Sequence, residues 1–487
     1  MGSSLKHKTV GGVFWSILER GGQQGIQVVI SIILAWLLSP AQFGLISMLT
    51  IFMAVAQSFQ DSGFGSALIQ KKDATHIDSC SIFYFNIIVG IIAAGLLCLA
   101  APWIAAFYKE PTLTALTRFL SLNLVINSFA LIHSTLLIKN IDFKTQLKVS
   151  ITATIGSGII GIVLACCGFG VWSLAIQSVT STLFRTVLLW FFNKWRPSLV
   201  FSLAALKSMF VFGSRLLASG LLDTIFRNIY LVVIGKIFTA TDLGFYTRAR
   251  SCLRLSSENL AMSVSRVMFP VFSSIQDDID RLKKCAQKTL TILMFLNFPI
   301  MTGILITAKP VVSVILTEKW LPCVPYLQLL CIIGLILPLQ VLNLNILMAK
   351  GRSDLFLRLE ILKKILVVIS ITITYRWGIQ AMIYGQICVS SLSYYLNSYY
   401  TGRLIDYPLR EQIFNLLPYF GITIVMGICV YCLQLFPFPN NWSLLICQVL
   451  VGISIYSAIS RALKVPAFIE VISILKGKLK FQNVEQS

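Results

Sequence analysis

Leu38-Ser-Pro-Ala-Gln-Phe-Gly44 and Phe238-Thr-Ala-Thr-Asp-Leu-Gly244 share one pattern of polar and glycine positions, 200 residues apart. Two further pairs of segments recur at slightly larger offsets. They are Ala101-Pro102 with Lys309-Pro310, and Leu137-Ile-Lys139 with Met348-Ala-Lys350. A slow drift of this size is what loops of different length introduce between two copies of a repeat. The chain is therefore predicted to contain one structural repeat twice.

The sequence around these segments is strongly apolar. Of the 487 residues, 56% are hydrophobic and only 12% are charged, and the mean hydropathy is +0.82. This composition excludes an ordinary soluble globular domain. The 12 cysteines lack the paired spacing of metal ligands and are predicted to be small core residues. An all-α integral membrane protein is the predicted class.

Polar residues, prolines and glycines divide the chain into about 14 apolar segments, each long enough for a membrane-spanning helix of roughly 20 residues. They cover residues 13–38, 44–69, 80–107, 113–138, 148–167, 170–192, 207–236, 244–272, 287–316, 324–349, 358–376, 379–401, 412–434 and 443–463. Corresponding repeat elements lie an even number of spans apart, so the repeats are predicted to be parallel in the membrane.

The predicted architecture is two pseudo-symmetric six-helix lobes around a central cleft, followed by two C-terminal helices. Residues 1–205 form the N-terminal lobe with spans 1 to 6, and residues 206–402 form the C-terminal lobe with spans 7 to 12. Residues 403–487 contain two additional spans and a basic cytoplasmic tail.

Positive charge alternates between loops, which predicts the orientation of the chain. One set of loops is rich in lysine and arginine, whereas the opposite set contains only Lys109, Lys236, Arg248, Lys319 and Arg376. Both termini are therefore predicted to be cytoplasmic. The net charge of +21 is explained by this orientation and by anionic lipid headgroups, so we expect no nucleic-acid partner.

Three segments resemble the polysaccharide exporter, or Wzx-type, flippases of the multidrug/oligosaccharidyl-lipid/polysaccharide superfamily. They are Leu37-Leu-Ser-Pro-Ala-Gln-Phe-Gly-Leu45, Phe59-Gln-Asp-Ser-Gly-Phe-Gly-Ser-Ala-Leu-Ile-Gln70 and Arg266-Val-Met-Phe-Pro-Val-Phe-Ser-Ser-Ile-Gln-Asp-Asp278. The resemblance covers nearly the whole chain and is weakest in the last two spans. Trp36 departs from it, because similar sequences frequently carry arginine there, and any role of that arginine is absent here.

The resemblance implies a function. Such proteins translocate undecaprenyl-pyrophosphate-linked oligosaccharide units of O-antigen, colanic acid or capsule from the cytoplasmic leaflet to the periplasmic leaflet of the bacterial inner membrane. We expect the protein to work beside a polysaccharide polymerase and chain-length machinery. We expect no cofactor, and proton or sodium coupling stays open.

Ionisable residues inside spans are the candidates for substrate contact, because a charge at mid-membrane costs about 2.5 to 3.5 kcal/mol on insertion scales. Arg250, Arg254 and Glu258 are spaced by four residues and are predicted to form one stripe of a helix. Arginine suits a pyrophosphate because its guanidinium binds two oxygens at once. Arg248 lies nearer the outer mouth and is interpreted as an orientation signal.

Five further charged positions are candidates for binding, coupling or ion pairing. Arg20 is a candidate for pyrophosphate binding beside Glu19, although both side chains are also placed to reach headgroups. Asp223 and Arg227 are four residues apart and are predicted to pair, with Arg227 a further candidate for the pyrophosphate. Asp61 precedes a Ser-Gly break and is interpreted as a helix cap or a proton-coupling group.

Two other functions stay open at this point. A cation-coupled drug antiporter would need an acidic cleft, whereas these spans have an excess of arginine. A membrane-embedded glycan-assembly enzyme would need a sizeable catalytic loop, and the predicted loops are short. No phosphate-binding loop, paired catalytic carboxylates or nucleophile elbow occurs, so the protein is predicted not to be an enzyme.

Overall fold

The computed structural model describes residues 2–61, 63–71 and 73–475, apart from the side chains of residues 2–14, 16, 17, 20, 208, 211, 212, 215, 474 and 475. Every regular element among these residues is helical. The chain divides into two compact units, Met1–Gly244 (unit 1) and Phe245–Ser487 (unit 2). The predicted lobe boundaries at residues 205/206 and 402/403 stay predictions.

Unit 1 is built from eight complete helices and the start of a ninth. They are α1 (Gly2–Leu37), α2 (Pro40–Asp61), α3 (Phe64–Gln70), α4 (His76–Tyr108), α5 (Thr112–Lys139), α6 (Phe143–Cys166), α7 (Val171–Phe192), α8 (Leu203–Ile237) and α9 (Ala240–Leu253). Within the unit, α1 packs against α6, α4 against α5, and α8 against α2.

Unit 2 continues α9 through a π-helical turn, Arg254–Glu258, and then contains eight further helices. They are α10 (Asn259–Ser274), α11 (Ile279–Val311), α12 (Val324–Ala349), α13 (Ser353–Thr374), α14 (Gly378–Ile405), α15 (Leu409–Cys432), α16 (Asn441–Ala462) and α17 (Pro466–Leu475). A second π-helical turn covers Val312–Leu316, and short 3₁₀ turns cover Glu318–Cys323, Tyr375–Trp377 and Leu433–Leu435. Helix α17 was not predicted.

All the predicted spans fall on helical segments, although 44–69 and 244–272 each contain more than one helix. Ten helical segments among the described residues are long and apolar enough to cross a membrane. The predicted spans at 13–38, 244–272, 358–376 and 379–401 are not among those ten. Charged or polar residues interrupt them, and the apolar part of α1 is reduced to Gly21–Leu37. The protein is thus a multi-pass, all-helical membrane protein.

The two copies of the repeated motif pack directly against each other within unit 1. A Cβ atom at Gly44 would lie 1.7 Å from the carbonyl oxygen of Ala240, and one at Gly244 would lie 2.0 Å from that of Pro40. In each case the carbonyl belongs to the residue four positions before the other glycine. The starts of α2 and α9 therefore cross backbone to backbone, which only glycine permits.

Hydrogen bonds at the start of each helix explain the polar positions of the motif. The N–H of Ser39 donates to Gln42 Oε1 at 2.8 Å. In the second copy, the N–H of Thr239 donates to Asp242 Oδ2 at 3.3 Å, and the N–H of Asp242 donates to Thr239 Oγ1 at 3.1 Å. These are capping interactions, which satisfy backbone N–H groups that a helix leaves unpaired at its start.

Prolines inside α11 release backbone carbonyls that other segments of unit 2 use. Proline has no N–H, so the carbonyl four residues before it loses its helical partner. Behind Pro299 and Pro310, the Phe295 oxygen accepts from Tyr456 Oη at 2.9 Å, and the Ile306 oxygen accepts from Gln434 Nε2 at 3.0 Å. At each proline, a hydrogen bond within α11 is therefore replaced by one from another segment of unit 2.

Candidate functional site

Glu19 lies on the face of α1 that packs against α6. Its side chain is 6% exposed, and Ser150 of α6 donates its hydroxyl to Glu19 Oε1 at 3.2 Å. A buried carboxylate requires hydrogen-bond donors or a nearby cation, because burial of an unpaired charge is unfavourable. The side chain of Arg20, the predicted phosphate ligand beside it, lies outside the described residues.

Arg185 on α7 provides a positive charge in this region, although it was not among the predicted site residues. Its Nη2 donates to Ser134 Oγ of α5 at 2.9 Å, and the carboxylates of Glu19 and Asp61 both act on it electrostatically. Arg185 is an exposed residue although it lies well inside an apolar span. Glu19 and Asp61 therefore lie close enough to Arg185 to interact with it electrostatically, and we call these three residues the unit 1 cluster.

Asp61 is the last residue of α2, where the predicted helix break occurs. Helix α3 begins after Gly63, which has φ 70° and is the N-cap residue without a side-chain hydrogen bond. Asp61 therefore does not cap α3. Its exposed carboxylate instead belongs to the unit 1 cluster with Arg185.

Loss of the Arg185 charge is expected to destabilise unit 1, because Glu19 and Asp61 would then lack this cation. We predict that Arg185→Gln lowers the melting temperature of the purified protein by about 2 to 4 °C. The double variant Arg185→Gln with Asp61→Asn should recover part of this loss, since it removes one of the two carboxylates. Differential scanning fluorimetry in detergent measures both changes.

Arg118, an exposed arginine on α5, provides the matched control. Arg118→Gln should leave the melting temperature within about 1 °C of wild type, as most surface substitutions do. A melting temperature of Arg185→Gln equal to that of the control would show that the cluster contributes nothing to stability.

Asp223 and Arg227 form the ion pair that their four-residue spacing predicted. Arg227 Nη2 lies 2.8 Å from Asp223 Oδ2 in α8. The Arg227 side chain is 68% exposed and the Asp223 side chain is 55% exposed. This part of α8 is apolar enough to cross a membrane. Because exposed charges at that depth are unfavourable in hydrocarbon, the pair is expected to face a water-accessible path.

Arg248 and Arg250 begin the series of arginines in unit 2. The Arg248 guanidinium carbon lies 5.1 Å from the ring centre of Trp320, a fully buried residue, which is a cation–π contact. Arg250 is half-buried and acts electrostatically on Tyr246, whose hydroxyl accepts from Gln386 Nε2 at 3.2 Å. Both arginines therefore interact with aromatic residues of unit 2.

Arg254 and Glu258 are the first and last residues of a turn that is not α-helical. The Asn259 N–H donates to the Arg254 carbonyl, five residues back, so the segment makes a π-helical turn. Residues four positions apart stay close to one face of the helix in a π-helical turn as they do in an α-helix, so the predicted stripe of Arg250, Arg254 and Glu258 stays a prediction. Arg254 is exposed, Glu258 is half-buried, and the described residues include no ion pair between them.

Each unit also contains an apolar groove. The groove of unit 1 has a volume of about 820 Å³ and is lined mainly by α2 and α4, including Phe59 and Trp103. The groove of unit 2 has a volume of about 730 Å³ and is lined by α11, α15, α16 and α17. Both linings are predominantly apolar, and apolar surface is favoured in contact with hydrocarbon rather than with water.

Residues 33–325 match the family described as polysaccharide biosynthesis protein, which is more than half of the chain. The chain belongs to this family. The match includes both copies of the repeated motif and all the charged residues of the candidate site except Glu19 and Arg20, which precede it.

Individual relatives are similar over most of their length. The lipopolysaccharide biosynthesis protein WzxC of Escherichia coli (strain K12) is 28% identical over 376 residues, which cover 76% of each chain. The teichuronic acid biosynthesis protein TuaB of Bacillus subtilis (strain 168) is 28% identical over 386 residues, covering 78% of this chain and 79% of TuaB. The succinoglycan biosynthesis transport protein ExoT of Rhizobium meliloti (strain 1021) is 26% identical over 321 residues, covering 66% of this chain and 65% of ExoT.

Solved structures with a similar fold include a flippase and a multidrug transporter. The lipid II flippase MurJ, in an inward closed conformation, superposes with a TM-score of 0.74 at 13% identity, over 93% of this chain and 99% of MurJ. An inward-facing multidrug resistance transporter of the MATE family superposes with a TM-score of 0.61 at 14% identity, over 78% of this chain and 95% of its own. At these identities the likeness shows a shared fold.

Proposed function

We propose that this family member flips an undecaprenyl-pyrophosphate-linked oligosaccharide across the bacterial cytoplasmic membrane, for surface polysaccharide synthesis. The observation that carries the proposal is the match of residues 33–325 to the polysaccharide biosynthesis family. The fold shared with MurJ supports it, because that protein is described as a lipid II flippase. Relatives described as lipopolysaccharide, teichuronic acid and succinoglycan proteins support the same class of product.

The pyrophosphate would be bound by Arg254 and Arg250, with Arg20 and Arg227 as further candidates. Arg254 is exposed, and Arg250 lies half-buried one turn earlier on the same helix. A guanidinium offers paired donors to phosphate oxygens and keeps its charge in any environment. The polyprenyl chain would stay in hydrocarbon while the head group crosses by alternating access, in a fold that is solved in inward-facing and outward-facing forms.

The finer topology belongs to the same proposal. Fourteen spans result if α1, α9 with α10, α13 and α14 also cross the membrane, despite their polar residues. Two six-helix lobes then precede α15 and α16. Both termini are cytoplasmic in this arrangement, and the protein works in the inner membrane beside a polymerase and chain-length machinery. No cofactor is required, and a proton or sodium gradient is the proposed source of energy.

A cation-coupled multidrug antiporter is the second candidate, because the MATE transporter has the same fold. The polysaccharide biosynthesis match favours the flippase. Deletion of the gene in its native host separates the two functions. We expect surface polysaccharide to disappear and undecaprenyl-pyrophosphate-linked repeat units to accumulate, and the plasmid-borne gene should reverse both effects. Normal polysaccharide together with lowered resistance to toxic cations would instead support the antiporter.

A further inference from the structure

One buried hydroxyl holds the π-helical turn that presents Arg254. Ser257 lies inside the turn and is 0% exposed, and its Oγ donates to the backbone carbonyl of Gly334 on α12 at 2.7 Å. A π-helical turn is a rare departure from the α-helical hydrogen-bond pattern. The Ser257 hydroxyl therefore connects this turn directly to the backbone of a neighbouring helix.

The Gly334 carbonyl is available because of a proline. Pro338 lies four residues further along α12 and lacks the N–H that would normally bind this oxygen. The same oxygen also accepts from Asn297 Nδ2 of α11 at 2.9 Å, and Asn297 is 1% exposed. One released carbonyl thus joins the π-helical turn, α11 and α12.

The absence of a side chain at Gly334 allows this close approach. A Cβ atom there would lie 2.4 Å from Met301 Sδ and 2.8 Å from Leu253 Cδ1. Leu253 immediately precedes Arg254 in the chain. The packing around Gly334 therefore brings the start of the π-helical turn close to α11 and α12.

We infer that Ser257 and Pro338 are positioning residues for Arg254, acting through the Gly334 carbonyl. This hydrogen bond ties the turn to the backbone of α12, so its loss lets the turn relax toward α-helical spacing. Arg254 would then point in a different direction. The link to substrate rests on the proposed function, whereas the anchoring of the turn does not.

Two substitutions test the hydrogen bond between Ser257 and the Gly334 carbonyl in different ways. Ser257→Ala removes the donor, and Pro338→Ala restores an N–H that competes for the Gly334 carbonyl. Both should raise amide hydrogen exchange across residues 254–259, by at least about threefold in lipid nanodiscs. Tyr456→Phe is the matched control, since it removes another hydrogen bond to a proline-released carbonyl, that of Phe295. The control should leave exchange at 254–259 unchanged.

Binding of farnesyl pyrophosphate, measured on the same nanodiscs, tests the positioning role. We expect Ser257→Ala to weaken binding about tenfold when Arg254 is present and to have no effect in an Arg254→Gln background. Such non-additivity is the signature of two residues that act through one contact.

Three results would overturn the inference or its premise. Unchanged exchange in both Ser257→Ala and Pro338→Ala would show that the carbonyl does not hold the turn. Equal weakening by Ser257→Ala with and without Arg254 would show a general structural role instead of positioning. Wild-type binding by Arg254→Gln would remove Arg254 from the proposed function, and the exchange measurement would still decide whether Ser257 anchors the turn.

Discussion

Alanine at Gly244 is expected to abolish surface-polysaccharide export and to lower the amount of folded protein in the membrane several-fold. The new methyl carbon would lie 2.0 Å from the Pro40 carbonyl oxygen, and backbone cannot swing aside as a flexible side chain does. The start of α2 or of α9 would have to move by about an ångström or more. Gly44→Ala should have the same effect, because its methyl carbon would meet the Ala240 oxygen at 1.7 Å.

Two other glycines provide matched controls for this substitution. A Cβ atom added at Gly95 in α4 or at Gly303 in α11 would meet no other atom within 4 Å. Alanine at either position should be tolerated or slightly stabilising, since it favours a helix by up to about 1 kcal/mol relative to glycine. Immunoblots of membrane fractions and complementation of the deletion strain measure the outcome. Normal export by Gly244→Ala would refute the backbone crossing of the two motifs.

Removal of the Arg254 side chain is expected to have the largest effect on transport that leaves the fold intact. Hydrogen bonds to charged groups contribute about 1.5 to 3 kcal/mol, so Arg254→Ala should lower export by roughly tenfold to a hundredfold. Because the side chain is exposed, protein levels should stay normal. Arg254→Lys should retain part of the activity, since it keeps the charge and loses the paired donors.

Arg358, an exposed arginine at the start of α13, is the control for a general loss of positive charge. Arg358→Ala should support export within about twofold of wild type. If Arg254→Ala complements the deletion as well as Arg358→Ala does, Arg254 does not bind the pyrophosphate.

The helices were predictable from sequence because their signals are local. Apolar segments bounded by polar residues or glycine placed every predicted span on helical structure, with most ends within about five residues, although α1 and α11 begin 11 and 8 residues before the predicted spans. The repeated motif was visible because Ser39 with Gln42 and Thr239 with Asp242 use the same capping chemistry. What the motif does, however, depends on the close approach of the Gly44 and Gly244 segments, which sequence alone does not reveal.

The details of the site depend on contacts between distant segments. Nothing in Arg-Leu-Ser-Ser-Glu at 254–258 distinguishes a π-helical turn from an α-helix, because the deciding partner is Gly334 on another helix. Arg185, in contrast, could have been predicted from the sequence, because it is a lone arginine in the apolar segment 170–192. Its connection with Glu19 and Asp61 still required the fold.

The most direct test of the proposed function is flipping by the purified protein. A lipid-linked oligosaccharide from the native host would be placed in the inner leaflet of proteoliposomes, and its arrival outside would be followed by binding of a membrane-impermeant lectin. We expect wild-type protein to expose the glycan much faster than protein-free vesicles do, and Arg254→Ala to be slow. Exposure at the protein-free rate, with correctly folded protein in both orientations and with proton or sodium gradients applied, would contradict the flippase function.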